Sequence, residues 1–457
     1  MLPFLKGLGN WVENLTKQSG FRINEWPIFI LGLTLLFLSF LFMPGAVALA
    51  LELALFLAPV WLPFLLLSGA WLLWVILKQS EFIASQKHIL LELIPPRNLI
   101  KTPLAMETVF AGLHQGGGEG TWYVKYIKGQ TRPWFSFEIA SIGGDVHFFI
   151  WTRAAWRRLI EAQIYAQYPG VQVVEAVDYT RTVSADPKDW GVWGCDFKHS
   201  KEDPLPIKTY VEYGLDKVQK EPEQVDPLAN LIEYLGSFRK DEQLWLQIII
   251  RTHKGEKYKK LTKEGKAWTW KEEAQVLIQK IREQTRDKYV DPVTGTERPG
   301  FPNPTKGQSE KIAAIERNIS KQAFDVGLRG VYLVHTARGG KFDVAMGVAG
   351  LTGAFKQFQS EEWNGFSPTG WLSIFSDYPW EKALGVDKLK DKFRKGVVEA
   401  FRRRQFFYEP ADAGKNAMVM STEELATIFH IPSAAVVTPS LERIQSPTGE
   451  APANLPV

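Results

Sequence analysis

The longest apolar stretch of the chain lies near its start. Between Trp26 and Lys78 the only charged residue is Glu52, and the 51 residues in between are enough for two membrane crossings of roughly 20 residues each. The stretch is interrupted at Met43-Pro44-Gly45, and no other segment of the chain is as long and apolar. The pattern predicts a transmembrane helical hairpin over residues 26–78. Its predicted spans are Pro27–Met43 and Phe56–Leu77.

Beyond the hairpin, the pattern of polar and apolar residues changes to that of a water-soluble α+β protein. Phe135, Phe137 and Ile139 alternate with polar or small residues, as in a half-buried strand, and Gly143-Gly144 predicts a hairpin turn to a second strand. An amphipathic helix over 154–168 and a strand over 171–177 follow. Strand, strand, helix and strand in this order predict a ferredoxin-like fold.

A similar order returns later in the chain, where we expect a second α+β unit. One interpretation is that this unit is a diverged copy of the first. An apolar strand over 244–251 precedes a helix over 271–287, and further helices and a strand lie between 309 and 358. The predicted division is an amphipathic segment 1–25, the hairpin 26–78, a first α+β region 79–290, a Pro/Gly-rich linker 291–308, a second α+β region with a basic helix 309–437, and an extended Pro-rich tail 438–457.

The segment 1–25 has two interpretations. Phe4, Leu8, Trp11 and Leu15 recur at helical spacing beside Lys6, which is typical of a helix that lies on a membrane surface. A helix packed on the soluble part of the same chain has the same pattern.

Charge predicts the orientation of the hairpin. Lysines and arginines flank it on both sides, and its connecting turn has none. Because positively charged flanks stay in the cytoplasm, we expect a two-span protein of the cytoplasmic membrane, with its N-terminus and soluble domains in the cytoplasm. The single cysteine, Cys195, excludes a disulfide framework, and the net charge of +4 neither requires nor excludes a polyanionic partner.

A search for catalytic motifs is negative. The chain has no P-loop, no dinucleotide fingerprint, no His-Glu-x-x-His and no Gly-x-Ser-x-Gly. The seven histidines are scattered, and Cys195 lies in an aromatic strand pattern that favours a small buried residue over a nucleophile. We therefore predict no catalytic residue, no cofactor and no metal site.

Basic residues cluster beside aromatic residues near the end of the soluble part. Arginine next to aromatic rings is suited to binding single-stranded nucleic acid, and equally to a membrane surface or an acidic partner. A solvated basic face is the third interpretation. The candidate residues for contact with nucleic acid or a partner are Arg402, Arg403, Arg404, Phe406, Phe407, Lys388 and Lys390.

Two stretches resemble a known group of proteins. Trp134–Phe149 with Glu161–Pro169, and Met420–Pro432 with Thr438–Arg443 and Ala453–Pro456, are similar to membrane-anchored proteins of type IV secretion and conjugative DNA transfer, from about Ile83 to the end of the chain. Those proteins accompany HerA/FtsK-like or coupling-protein-like ATPases. The chain ends where the resemblance predicts a nucleotide-binding domain, so we expect either that the ATPase is a separate chain or that the protein works without one.

The leading hypothesis is a non-enzymatic assembly component of a machine that translocates DNA or protein. The expected partners are the lipid bilayer, further copies of the chain in a homo-oligomer, a separate ATPase and DNA. The alternative hypotheses are a membrane scaffold that oligomerises into a ring or cage, unrelated to secretion, and a membrane-bound enzyme with an unrecognised site.

Overall fold

The computed structural model describes most of the chain. It covers residues 44–97, 99–184, 189–216, 226–255, 257–258, 265, 268–290, 297–369, 386–408, 417–433, 441 and 443, with scattered positions between 32 and 42. The chain forms two compact units, Met1–Trp74 and Val75–Val457.

The apolar region is helical where it is described. Helix α1 spans Pro44–Phe56 and helix α2 spans Ala58–Ser85. Within the described residues, α2 is the one helix that is long and apolar enough to cross a membrane. Glu52 lies exposed in α1. Most of the predicted span Pro27–Met43 lies outside the described residues.

The second unit contains two sets of four strands in one sheet, and the strands of each set lie side by side in the same spatial order. Its first elements are β1 (His88–Ile94), α3 (Leu104–Gly112), β2 (Trp134–Ile142), β3 (Asp145–Arg153), α4 (Arg157–Gln167) and β4 (Gln172–Glu175). The following elements are β5 (Trp190–His199), α5 (Ala229–Gly236), β6 (Glu242–Thr252), α6 (Trp270–Gln284), β7 (Arg286–Val290), β8 (Glu297–Pro302), α7 (Lys306–Ser320), β9 (Ala323–His335), α8 (Leu351–Ala354) and β10 (Phe366–Thr369). The last elements are α9 (Val386–Arg403), β11 (Met418–Ser421) and α10 (Thr422–Ile428).

The sheet has the order β10-β5-β9-β6-β2-β3-β1-β4, and β11 also pairs with β9. Neighbouring strands are antiparallel throughout. In the first set, β1 to β4 lie in the order β4-β1-β3-β2, and in the second set β5, β6, β9 and β10 lie in the order β10-β5-β9-β6. The two sets meet where β2 pairs with β6, from Trp134 opposite Arg251 to Ile142 opposite Gln243.

This arrangement corrects the predicted domain boundaries. The strands expected in separate regions 79–290 and 309–437 belong to one sheet, because β9 pairs with both β5 and β6. The predicted linker 291–308 contains β8, which forms a hairpin with β7. Proline and glycine mark that segment as a loop, but an insertion within a domain has the same composition as a linker between domains.

Both faces of the sheet are covered. One face carries Phe137, Phe148 and Leu246 and packs against α3, α4, α5, α8 and α10 in a single hydrophobic core. The other face carries Trp134, Trp151 and Trp245 and packs against α9 and the segment after it. Strands covered on both faces are largely apolar on both faces, and β6 accordingly is apolar from Leu244 to Ile250 except at Gln247.

The shared sheet predicts a single unfolding transition for the second unit. Phe137→Ala in β2 and Leu246→Ala in β6 each remove a side chain that is at most 2% exposed. We expect losses of about 3–5 and 2–5 kcal/mol in the free energy of unfolding. Denaturant unfolding of the detergent-solubilised chain, followed by tryptophan fluorescence, measures both. The control is Val276→Ala on an exposed position of α6. Two transitions, each shifted by one substitution only, would contradict a shared sheet.

Candidate functional site

The predicted arginine cluster, Arg402 to Arg404, lies at the end of α9. One of the residues predicted to contact nucleic acid or a partner, Arg404, is buried inside the protein. Arg404 is 1% exposed and has the left-handed φ of 50°, which is uncommon for a residue with a side chain. Its guanidinium donates from Nε to Glu138 Oε1 at 2.9 Å and from Nη1 to Asp178 Oδ2 at 2.6 Å. The Trp134 indole donates to the Arg404 carbonyl at 3.0 Å. Arg404 therefore fastens the end of α9 to the centre of the sheet.

Glu138 is the acceptor at the centre of this network. It is fully buried in β2, and its carboxylate also accepts hydrogen bonds from Ser136, Tyr179 and Gln247 at 2.7, 2.8 and 3.2 Å. A buried carboxylate needs such partners, because transferring an unpaired charge out of water is very costly. The network is buried and acts as an internal clamp between α9 and the sheet.

Burial and charge pairing shift the pKa of Asp178, Arg404 and Tyr179. Burial alone would raise the pKa of Asp178, but the hydrogen bonds and charge of Arg404 hold that pKa below its usual value. Burial would lower the pKa of Arg404, and the Glu138 and Asp178 carboxylates together raise it instead. Burial raises the pKa of the Tyr179 phenol, with Glu138 adding to the effect. All of these groups thus keep one protonation state near neutral pH.

The other predicted contact residues are distributed between interior and surface. Phe406 is buried, and Phe407 lies 4.4 Å from the Arg251 guanidinium in an arginine–aromatic contact within the chain. Arg402 donates to the carbonyls of Thr180 and Val183. Arg403 is the most accessible arginine of the cluster, with 57% of its side chain exposed. Lys390 is buried, and the side chain of Lys388 lies outside the described part of the chain.

A second polar cluster, which the sequence analysis missed, lines a cleft of about 230 Å³ at one end of the sheet. His199, the last residue of β5, and Asp203 are joined by a 3.0 Å hydrogen bond, and the Lys257 ammonium bonds the second Asp203 oxygen. Burial would raise the pKa of Asp203, but His199 and Lys257 hold it below its usual value. The sequence signal that could have indicated this cluster is the spacing of His199 and Asp203, four residues apart at the end of a strand.

The chemistry open to this cleft is limited. An aspartate that orients a histidine is the arrangement of a general base, and the outer His199 nitrogen has no hydrogen-bond partner. However, the described residues that line the cleft include no serine, threonine or cysteine to act as a nucleophile. The volume is also below the roughly 300–1,000 Å³ of ordinary ligand pockets. Among the described residues, no group of three or more His, Cys, Asp or Glu is placed to hold a metal ion.

Cys195 lies in β5, 2% exposed, and burial raises the pKa of its thiol. A raised pKa keeps the thiol protonated and weakly nucleophilic. The placement agrees with the expectation of a buried structural residue.

Comparison with known proteins identifies a family. A domain of unknown function, DUF8128, matches residues 78–443, which is most of the chain. The chain belongs to the DUF8128 family. No curated protein matches it. The match begins at Lys78, the first charged residue after the apolar stretch of α2.

Arg404 and Arg403 are adjacent, but their substitution by alanine should affect the free energy of unfolding very differently. Arg404→Ala leaves Glu138 buried without its cation, and we expect a loss of about 3–5 kcal/mol in the free energy of unfolding. Arg403→Ala, on an exposed position, should change it by less than about 0.5 kcal/mol. Denaturant unfolding of both variants makes the comparison. Equal effects would show that Arg404 is not a clamp, and the double variant Arg404→Met/Glu138→Gln should recover part of the loss.

A buried glutamate at the start of α10 predicts a pH dependence. Glu424 accepts hydrogen bonds from the backbone N–H groups of Ile207 and Ser421, and burial raises its pKa to about 7. Because the folded chain binds this proton more tightly than the unfolded chain, the contribution of Glu424 to stability is complete below about pH 4.5 and is lost as the pH rises through about 7.

Glu424→Gln should abolish this loss. We compare the unfolding free energies of the wild type and Glu424→Gln between about pH 4.5 and pH 7. As the pH rises over this range, the wild type should lose about 3 kcal/mol relative to the variant. Burial lowers the pKa of His88 to about 4, which gives an opposite trend in the same range, but this trend is common to both proteins and cancels in the difference. A difference that does not vary with pH would contradict the raised pKa.

Proposed function

We propose that this chain is a non-enzymatic, membrane-anchored assembly component of a type IV secretion-like machine that translocates DNA or protein with a separate ATPase. The observation that carries the proposal is the exposed apolar surface of α2. Leu66, Leu67 and Leu73 are 59%, 68% and 68% exposed, and none of the residues of this helix is buried. An apolar surface of this extent on a soluble protein would mark a membrane or partner contact.

The connection between α2 and the sheet supports an anchor. The helix ends at Ser85 and β1 begins at His88, so only two residues separate them. Phe82, in the last turn of the helix, lies 5.2 Å from the Arg153 guanidinium of β3. An anchor joined in this way holds the domain at the membrane, which is what an assembly platform requires.

The proposal includes the two-span hairpin, with the N-terminus and the soluble unit in the cytoplasm. Helix α1, Pro44–Phe56, lies immediately before α2 and is also apolar. The positively charged flanks favour this orientation. In this proposal, Pro27–Met43 is the first membrane span and α2 is the second.

The sheet supports the proposed assembly role. Each set of four strands has the order 4-1-3-2 with helices in the two crossover connections, which is the arrangement of a ferredoxin-like βαββαβ unit. We therefore propose two related units fused edge to edge through β2 and β6. Contact with DNA, in this proposal, falls to exposed positions of α9 such as Arg403, Lys392 and Lys395, because Arg404 and Phe406 are buried.

The alternative function is a self-oligomerising membrane scaffold unrelated to secretion. It is favoured by the two outer strands, β4 and β10, each of which pairs with one strand within the described residues. An outer strand with free backbone groups can pair with a strand of another copy. Val174 in β4 is 45% exposed.

Affinity purification tests the function. A tagged wild-type chain, expressed with a second copy that carries a different tag, should fractionate with membranes and copurify with that copy and with a P-loop ATPase. The variant Leu66→Lys/Leu67→Lys should leave the membrane fraction, since each lysine at a helix centre costs about 2.5–3.5 kcal/mol. Val276→Lys, on an exposed position of α6, is the matched control.

The outcomes separate the two functions. Copurification of the second copy without an ATPase would support the scaffold, and Val174→Lys should then abolish it while Val177→Lys, at an 88% exposed position beyond β4, should not. A wild-type chain found in the soluble fraction, or one that copurifies with neither partner, would overturn the proposed function.

A further inference from the structure

A short segment between α3 and β2 carries exposed aromatic rings and lysines. It reads Thr121-Trp-Tyr-Val-Lys-Tyr-Ile-Lys128 and includes a π-helical turn, Tyr123–Ile127. Trp122 is 60% exposed and Tyr123 is 54% exposed. Large exposed apolar patches often mark a contact with a membrane or with another protein.

The rings and lysines of the segment form one patch. The Trp122 and Tyr126 rings are 6.0 Å apart. The Lys125 ammonium lies 5.6 Å from the Tyr126 ring, and the Lys128 ammonium lies 5.8 Å from the Tyr123 ring. Tryptophan, tyrosine and lysine are the residues enriched where a membrane meets water, because each has an apolar body and a polar end.

The segment is held in place by buried charge. Glu119, whose side chain is 4% exposed, forms an ion pair with the Arg132 guanidinium at 3.1 Å and accepts a hydrogen bond from the Tyr408 hydroxyl at 2.9 Å. The Arg132 guanidinium donates to the Thr252 carbonyl at 2.7 Å. These contacts fix both ends of the segment to the sheet, so the aromatic patch has a defined position.

The position is beside the end of the apolar stretch of α2. Gly129 directly follows the segment, has a φ of 64°, and packs so closely on the backbone of Lys78 that any Cβ at this position would overlap it. Lys78 is the first charged residue after the apolar stretch, so it marks the level at which the helix would leave the hydrocarbon of a bilayer. The aromatic patch therefore begins one residue from that level.

We propose that Thr121–Lys128 is a membrane-interface site, in which Trp122, Tyr123 and Tyr126 insert among lipid headgroups and Lys125 and Lys128 bind anionic phosphates. The proposal rests on the proposed membrane anchoring of α2 and adds a second contact with the same bilayer. Two contacts restrict the tilt of the soluble unit over the membrane, which a single helix does not.

Depth-dependent fluorescence quenching tests the site in the full chain. Trp122→Cys and Tyr126→Cys variants are labelled with the environment-sensitive fluorophore NBD and reconstituted in phosphatidylcholine/phosphatidylglycerol vesicles. The vesicles contain lipid brominated either near the headgroup, to quench labels at the interface, or near the ends of the acyl chains, to quench a label in the middle of the span. Leu65→Cys in α2 reports the membrane span, and Val177→Cys and Phe301→Cys, 88% and 93% exposed, are the controls in water. Cys195 is 2% exposed, so the wild-type chain gives the background of labelling.

We expect the Trp122 and Tyr126 labels to lose about half or more of their fluorescence, and the Val177 and Phe301 labels less than about a tenth. Lys125→Gln/Lys128→Gln should reduce the quenching at Trp122 in vesicles with phosphatidylglycerol, whereas Lys392→Gln/Lys395→Gln on α9 should not. Quenching at Leu65 with none at Trp122 and Tyr126 would overturn the interface site and leave the anchor intact. No quenching at Leu65 would overturn both.

Discussion

The pairing of β2 with β6 is the interaction on which the rest of the soluble unit depends. It joins two sets of four strands, and Glu138 lies opposite Gln247 near its centre. Without this pairing, each set would expose the backbone groups of a long strand whose residues are mostly buried on both faces, which is an aggregation hazard. With it, the hydrophobic core on one face runs continuously under both sets.

The polar groups at this junction place α9 on the opposite face. Glu138 and Gln247 would be buried without sufficient partners if α9 were absent. Arg404 supplies the cation for Glu138, and Gln247 donates to the carbonyl of Phe401 at 3.0 Å. The left-handed backbone of Arg404 directs the guanidinium back toward the sheet at the point where the helix ends. The basic residues at the end of α9 resemble a surface that binds polyanions, but one of them, Arg404, neutralises the internal carboxylate of Glu138.

Local patterns predicted individual elements well. The alternation around Phe137 and Gly143-Gly144 predicted β2, β3 and the turn between them, and both glycines have positive φ as a tight hairpin turn requires. Ser421 and Glu424 form a capping box at the start of α10, which is a local signal of the same kind. The boundaries of the larger units could not be predicted in the same way, because strand pairing between β6 and β9 spans an insertion of α6, α7 and a hairpin, and no local signal encodes a long-range partner.

The sequence by itself determined the apolar helix, the α+β class and most of the strands and helices, since each depends on the periodicity of neighbouring residues. Only the tertiary structure decided which basic residues face water, because exposure depends on what packs from elsewhere in the chain. Arg403 and Arg404 are adjacent in sequence, yet one is exposed and the other is buried against β2. In the same way, the sequence does not show that the segment with Trp122 lies beside the end of the apolar stretch of α2. The contact between Gly129 and Lys78, which are far apart along the chain, shows this.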